Sequence, residues 1–363
     1  MRPTYLEVNL PQLKRNLETI QAHVAPAKVM PMIKANAYGH GVDGVAPFIE
    51  PYTDMFGVAI VEEAIYLRHL GIRKPILVAG GTLPDQLPLF IEYDLTLTAS
   101  SPELLASAEA AAESAGVKLT AHLKVDTGME RVGVHYYEAE SFLEMSLKCK
   151  NVLIEGLYTH LANSEDPKLT HARQQLERFQ EVFRFYEKRS LPLPIRHMAN
   201  SAAILQFPES HMDMVRPGLM FYGVYPAGVD RTISISPALK WKSRVAYSKV
   251  TRPGHPVSYG SLWQSEAETR IVTVPCGYAD GYFRRMTNQA QVIIRGRKYP
   301  QVGRICMDQF MVDVGENKVM LGDEVVLLGE GITAYDLADW TGTNEYEVLT
   351  NISGRVPRKY DLE

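Results

Sequence analysis

Cysteine is scarce: Cys149, Cys276 and Cys306 are the only three among 363 residues, they lie far apart, and no C-x-x-C pair occurs. That argues against a disulfide framework and against cysteine-based zinc sites, and no metal site is expected. Long hydrophobic runs are also missing. None approaches the ~18 residues a membrane span requires, and Arg2, Glu7, Lys14 and Arg15 interrupt the apolar pattern of the first residues, so no secretory leader is expected. An excess of charge of one sign is lacking too: 38 basic and 42 acidic residues leave a formal charge of only -4. Such a balance gives no field that would gather nucleic acid or an anionic membrane surface. With no internal repeat or biased tract, these absences point to a cytoplasmic protein whose partners are small molecules or another protein chain.

What is present is globular. Hydrophobic residues at 46% and charged residues at 22% match ordinary domains, and at about 150 residues per domain the length suggests two domains, or one barrel with an added module. Through the first two thirds, short β-rich runs alternate with helical patterns, the mark of βα units and a parallel sheet. Candidate strands are Lys28 to Ala35, Met55 to Ile60, Pro75 to Ala79, Leu95 to Thr98, Leu119 to Asp126, Val152 to His160, Ile195 to Ala199 and Met214 to Gly218. About eight strands is the number of a (β/α)8 TIM-type barrel. Helices are predicted over Val42 to Glu50, Glu62 to Leu70, Pro102 to Ala115, Tyr136 to Lys148 and His171 to Lys188, with Ser101 as an N-cap, Pro102 at the first helical position and Gly116 as a stop. After about Asp230 the helical periodicity fades and Arg252–Pro253–Gly254, Arg295–Gly296–Arg297 and Leu321–Gly322–Asp323 break up β-rich runs, predicting a mostly antiparallel β domain. Its candidate strands are Leu239 to Val250, Thr269 to Pro275, Gln291 to Arg295, Met311 to Val314 and Glu324 to Leu328, with one short helix around Tyr335 to Thr341. The expected division is residues 1–233 for the barrel and 234–363 for the β domain.

Catalytic groups of a βα barrel gather at the carboxyl ends of its strands. Here those positions carry Lys34, Lys124, Asp126, Arg131, His160, Asn200, Ser201 and Arg216. A lysine closing an apolar strand must find a partner or lose its proton, and a neutral amine is a nucleophile able to form Schiff bases; taken alone, Lys34 also reads as an ion-paired or snorkelling residue. Gly39 and Gly41 permit close backbone approach, and Tyr38 offers a hydroxyl near the same rim. Ser201 opening a helical run, with Gly218 after Arg216–Pro217, fits a phosphate cup of the kind barrels build after strands 7 and 8. Each is separately explained as an N-cap or a turn. Together, a rim lysine, a phosphate cup and arginines suggest a phosphorylated aldehyde, with pyridoxal 5'-phosphate as the candidate.

The run K-A-N-A-Y-G-H-G from Lys34 to Gly41 resembles the cofactor-lysine signature of alanine racemases. Further matches are K-V-D-T-G-M-E-R from Lys124, H-M-A-N-S from His197, R-P-G from Arg216, S-Y-G from Ser258, G-Y-A-D-G from Gly277 and G-R-I-C-M-D-Q from Gly303. The resemblance covers nearly the whole chain. It implies a pyridoxal-phosphate-dependent isomerase interconverting L- and D-alanine for peptidoglycan, active as a homodimer. Lys34 would hold the cofactor and act as one base, and Tyr259 would be the second, reaching the site from the partner's β domain. Tyr38, Ser201, Gly218, Leu219 and Tyr222 would lie near the phosphate, Arg216 at the pyridine nitrogen with His160 supporting it, and Arg131 near the phenolic oxygen and substrate carboxylate. The Met307 backbone N–H would bind that carboxylate, with Asp308 alongside, and Lys124 matches a position carbamylated in some members. Glu165, His197, Tyr278, Arg284 and Arg304 resemble positions lining the substrate entrance.

Two departures stand out. Many members carry a tyrosine between Ser353 and Arg355, where this chain has Gly354, and Glu130 stands where glycine is frequent before the arginine. Racemases of serine or lysine on the same scaffold, a non-catalytic pyridoxal-phosphate carrier resembling the barrel alone, and decarboxylases with related barrels are the alternatives. The C-terminal module with Tyr259 and Met307 argues against a carrier, and nothing resembles the decarboxylases' C-terminal cysteine motif.

Overall fold

The computed structural model describes residues 2–362. They divide into two compact units: one holds Leu13–Ala37 and Val42–Ser236, and the other holds the chain's beginning through Gln12, the short run Tyr38–Gly41 and the chain from Pro237 onward.

In the first unit eight parallel strands follow one another in chain order: Lys28–Val29, Phe56–Val58, Ile76–Val78, Thr96–Ala99, Leu119–Asp126, Val152–Tyr158, Ile195–His197 and Met214–Val215. Met214 pairs with Lys28, and a parallel bridge between Met32 and Gly57 joins the first strand's continuation to the second, so the sheet closes as a barrel. Phe56-Gly57-Val58 and Ile76-Leu77-Val78 are buried throughout, as parallel strands covered by helices should be. Met30, Met55, Leu77 and Met214 pack together as part of the interior. Helix Pro102–Ala115 has the predicted ends: the Ser101 hydroxyl accepts the Leu104 N–H and Gly116 closes it in the left-handed conformation. Helix Leu10–Val24 was not predicted, although Leu10, Leu13, Leu17, Ile20 and Val24, all buried, carry the helical spacing.

The second unit is a nine-stranded sheet, antiparallel except where Tyr5–Asn9 lies parallel to Arg358–Asp361. That first strand corrects the expected division. Leu6 and Val8 are buried, and the strand also pairs with Leu239–Arg244, so residues 2–12 fold with the β unit and not with the barrel. The predicted strand Leu239 to Val250 is two strands, Leu239–Arg244 and Tyr247–Thr251. It breaks because the Val245 N–H bonds to Asp323 and the Ala246 N–H to Thr273, so the chain changes partner there. Strands Gln291–Ile294 and Arg297–Val302 form a hairpin through Arg295 and Gly296, both at positive φ, as a two-residue turn of this twist requires. Helices Ala334–Thr341 and Glu345–Thr350 complete the unit. Among the described residues no helix is long and apolar enough to cross a membrane, and all three cysteines are free thiols.

Candidate active site

Beyond the first barrel strand, the chain after Lys34 turns left-handed: Ala35, Asn36, Ala37 and Tyr38 have φ of 51, 54, 53 and 50°. Each non-glycine residue in that conformation costs about 1–2 kcal/mol, so the turn must be held from outside. Glu63 does much of this. One of its oxygens accepts the Ala35 N–H at 2.6 Å and the other the Ala59 N–H at 2.8 Å, while Asn36 Oδ1 accepts the Val42 N–H at 2.8 Å. Lys34 is half-buried, and burial first, then the charge of Arg131, holds its amine below the ordinary lysine value, with Glu63 partly opposing and Arg216 adding to the effect. A larger fraction of neutral amine results, the form that attacks carbonyl carbon.

Arg216, 4% exposed, is held on three sides. Its Nη1 donates to His197 Nδ1 at 2.7 Å, and Nη2 donates to the Thr159 carbonyl at 2.8 Å and to His160 Nδ1 at 3.1 Å. Burial brings its pKa down to about 10, so it remains a cation at neutral pH. His160 and His197 are held well below the ordinary histidine range by burial first and then by Arg216. Both rings are therefore neutral, as acceptors from a guanidinium must be. His197 was expected at the substrate entrance; instead it is fully buried and stacked on Tyr158, with ring centroids 4.6 Å apart, because the inward face of its strand points into the barrel. His160 supports Arg216 directly. The Lys124 amine sits 4.1 Å over the Tyr158 ring, and burial first, then Arg216 and Arg131, pushes its pKa well down. Asp126 accepts the N–H groups of Gly128, Met129 and Arg131, which shapes the loop carrying the exposed Arg131; burial alone would raise its pKa, and these bonds outweigh it.

After the seventh strand Asn200 caps helix Ser201–Gln206 by accepting the Ala203 N–H. The Ser201 hydroxyl oxygen accepts N–H bonds from Gly218 at 2.9 Å and Met220 at 3.4 Å, which leaves its own hydrogen to donate. Leu219 and Tyr222 are buried beside it, the Tyr222 hydroxyl donating to the Met32 carbonyl at 3.0 Å.

The β unit gathers a second cluster. Tyr259, Tyr278, Arg284, Arg304, Met307 and Asp308 line one open hollow of about 540 Å³. Its two loops lie backbone to backbone, Tyr278 and Ala279 donating to the carbonyls of Cys306 and Met307 at 3.0 Å. A Cβ on Gly277 would fall 2.3 Å from the Cys306 oxygen, so only glycine fits. Tyr259 is 71% and Met307 51% exposed. Arg355, which sequence reasoning missed, donates to Asp308 at 2.7 Å and lies 3.6 Å from buried Asp280. Tyr38 belongs to this unit, its ring 6.2 Å from that of Tyr346. Glu165 is half-exposed in the loop before helix Thr170–Lys188 of the barrel. A Cβ on Gly354 would meet nothing within 4 Å. Glu130 sits at φ 55°, the conformation glycine adopts freely, and pairs with His135 at 2.9 Å on the surface.

Residues 8–226 match the family described as alanine racemase, N-terminal domain, and residues 238–360 match its C-terminal domain. The chain belongs to the alanine racemase family. It is 45% identical to the alanine racemase of Carboxydothermus hydrogenoformans over 368 residues, 99% of this chain and 100% of that one. Among solved structures, an alanine racemase from Clostridium difficile 630 superposes with a TM-score of 0.95 at 36% identity, covering 99% of this chain and 96% of that one. One from Bartonella henselae, described as having covalently bound pyridoxal phosphate, superposes with a TM-score of 0.91 at 28% identity over 99% and 100% of the two chains.

Proposed function

We propose that this chain is a pyridoxal-phosphate-dependent racemase interconverting L- and D-alanine as a homodimer. The observation that carries the reading is the barrel rim, where buried Arg216, bonded to His197, His160 and the Thr159 carbonyl, stands with Arg131 and the weakly basic Lys34 while Asp126 is already committed to backbone N–H groups. So cationic a rim suits an anionic guest, and the donor hydrogen of Ser201 suits a phosphate oxygen; the residues present fit a phosphorylated aldehyde. Lys34 would hold the aldehyde carbon, Ser201, Gly218, Leu219, Tyr222 and Tyr38 the phosphate, and Arg216, backed by His160, the ring nitrogen. Arg131 would meet the phenolic oxygen and the substrate carboxylate, with Lys124 as its support, and the Met307 backbone N–H would bind that carboxylate with Asp308 alongside. Tyr278, Arg284, Arg304 and Glu165 would line the approach.

When bound, pyridoxal phosphate withdraws electrons from the substrate Cα and so acidifies its proton. Two bases on opposite faces then suffice: the Lys34 amine moves that proton on one face, and the Tyr259 hydroxyl moves it on the other. Arg216 cannot surrender a proton at neutral pH, so it leaves the ring nitrogen unprotonated and limits the electron withdrawal that would favour side reactions. The exposure of Tyr259 supports its delivery to a second copy of the chain, since an exposed phenol gains a defined position only under cover. Three free thiols fit a cytoplasmic setting, and D-alanine for peptidoglycan fits the family. The test is chiral chromatography of L-alanine, L-serine and L-lysine incubated with the protein and pyridoxal phosphate, with Lys34→Ala alongside. Fastest conversion of alanine, abolished in the variant, is expected; faster conversion of serine or lysine would move the substrate assignment, and no conversion of any would overturn the reading.

A further inference from the structure

The bonds of Arg216 continue well beyond His160. His197 Nε2 lies 2.9 Å from His122 Nδ1, and His122 Nε2 lies 3.2 Å from Glu155 Oε2. A guanidinium has only donors, so His197 Nδ1 must accept and its proton must sit on Nε2. That proton requires His122 Nδ1 to accept in turn, which places the second ring's proton on Nε2, directed at the carboxylate. Every donor along the chain points outward from Arg216.

The barrel is built around this arrangement. His122 and His197 are both 0% exposed, whereas the Glu155 side chain is 44% exposed. Between the fifth and sixth strands the register jumps from Ala121–Ile154 to His122–Gly156, so Glu155 is the extra residue of a bulge, a device that re-aims a side chain. The next residue is glycine because a Cβ on Gly156 would lie 2.4 Å from His122 Nδ1. The bond from His122 also holds the Glu155 carboxyl below its usual range.

We propose that Glu155 terminates a directional relay, Arg216→His197→His122→Glu155, that fixes both histidines as single tautomers, and that Glu155 and His122 are thereby positioning residues for Arg216. Without the terminal acceptor the His122 Nε2–H is left unpaired in a dry interior, and moving the ring's proton to Nδ1 relieves that cost. A reversed His122 confronts His197 with donor against donor, and the reversal of His197 deprives Arg216 Nη1 of its acceptor. The proposal rests on the racemase reading only for its kinetic consequence.

The imidazole ¹⁵N spectrum tests it, recorded on the full chain without and with pyridoxal phosphate. In the unaltered protein both rings should carry hydrogen on Nε2 alone. Glu155→Leu should give mixed tautomers in both rings, a several-fold lower kcat at unchanged KM for alanine, and a raised ratio of transamination to racemisation. Glu155→Gln, whose amide oxygen still accepts, should restore the single tautomers and most of kcat. Should Glu155→Leu not fold, Glu155→Ser, too short to reach His122, takes its place. Unaltered tautomers in the Leu or Ser variant would overturn the relay, and altered tautomers with unchanged kcat and product ratio would overturn the positioning role. Absence of racemisation in the unaltered protein, with the histidine spectra responding as expected, would instead remove the racemase reading and leave the relay standing.

Discussion

The barrel rim and the hollow of the β unit hold their chemistry in opposite ways. On the rim, Arg216 is bonded on three sides, Lys124 lies against an aromatic face, and Lys34 stands at the head of a strained turn clamped by Glu63. In the hollow, Tyr259 and Met307 stand largely in solvent and order comes from loop backbones locked together at Gly277. Burial on the rim fixes geometry and shifts basicity together, so function and stability share the same residues. Exposure in the hollow separates them: on the proposed reading its side chains would serve reactivity without carrying stability.

That contrast can be broken or sharpened by substitution. Tyr259→Phe should lower kcat by about 10²–10⁴-fold, the usual range for a positioned acid or base, yet leave stability within about 0.5 kcal/mol, as for other exposed changes. Alanine racemisation and urea unfolding measured together check both halves, and a large stability loss would erase the contrast. On the rim, Arg216→Leu should cost about 3 kcal/mol of stability in addition to activity, because His197, His160 and the Thr159 carbonyl lose their donor in a dry interior. Equilibrium denaturation reads that loss, and a change below about 0.5 kcal/mol would show that the rim tolerates rearrangement.

Acid should separate the regions as well. His160 and His197 have folded-state pKa values well below the ordinary histidine value. Below about pH 6.5 the unfolded chain therefore binds protons that the folded chain refuses. Stability is full above that pH and falls as the pH drops through it, by up to about 1.4 kcal/mol per pH unit for each ring. Unfolding curves between pH 7.5 and 5 should show this slope, and His197→Gln should flatten it. The smallest effect is expected from Gly354→Tyr, whose Cβ would meet nothing within 4 Å: stability within about 0.5 kcal/mol and a shift confined to kcat/KM and side-chain preference in the substrate panel.

Much of this was legible in the chain. The eight strand runs, the Ser101 cap, the change of pattern near residue 230 and the rim positions of Lys34, Lys124, Arg131, His160, Ser201 and Arg216 all followed from periodicity and strand-end logic. The first strand, Tyr5–Asn9, was missed because its partners are residues 239–244 and 358–361, and pairing across such separations leaves no local trace. His197 was misplaced because a strand histidine looks the same whether it faces a channel or an arginine. Glu155 had no local signal at all, since a bulge is a property of two strands together. Arg355 and Glu63 were overlooked for a similar reason: Asp308 lies 47 residues from Arg355, and Glu63 ties neighbouring Ala59 to Ala35, 28 residues away.

The sequence by itself determined the barrel-plus-sheet architecture, the family and the residue types available for chemistry, because hydrophobic period, capping and short motifs are local properties of a chain. Only the tertiary structure decided which of those residues are dry, which tautomer each buried histidine holds, and which carboxylates are already committed. Basicity and hydrogen-bond direction depend on desolvation and on partners brought close by strand register, and neither exists until the chain has folded.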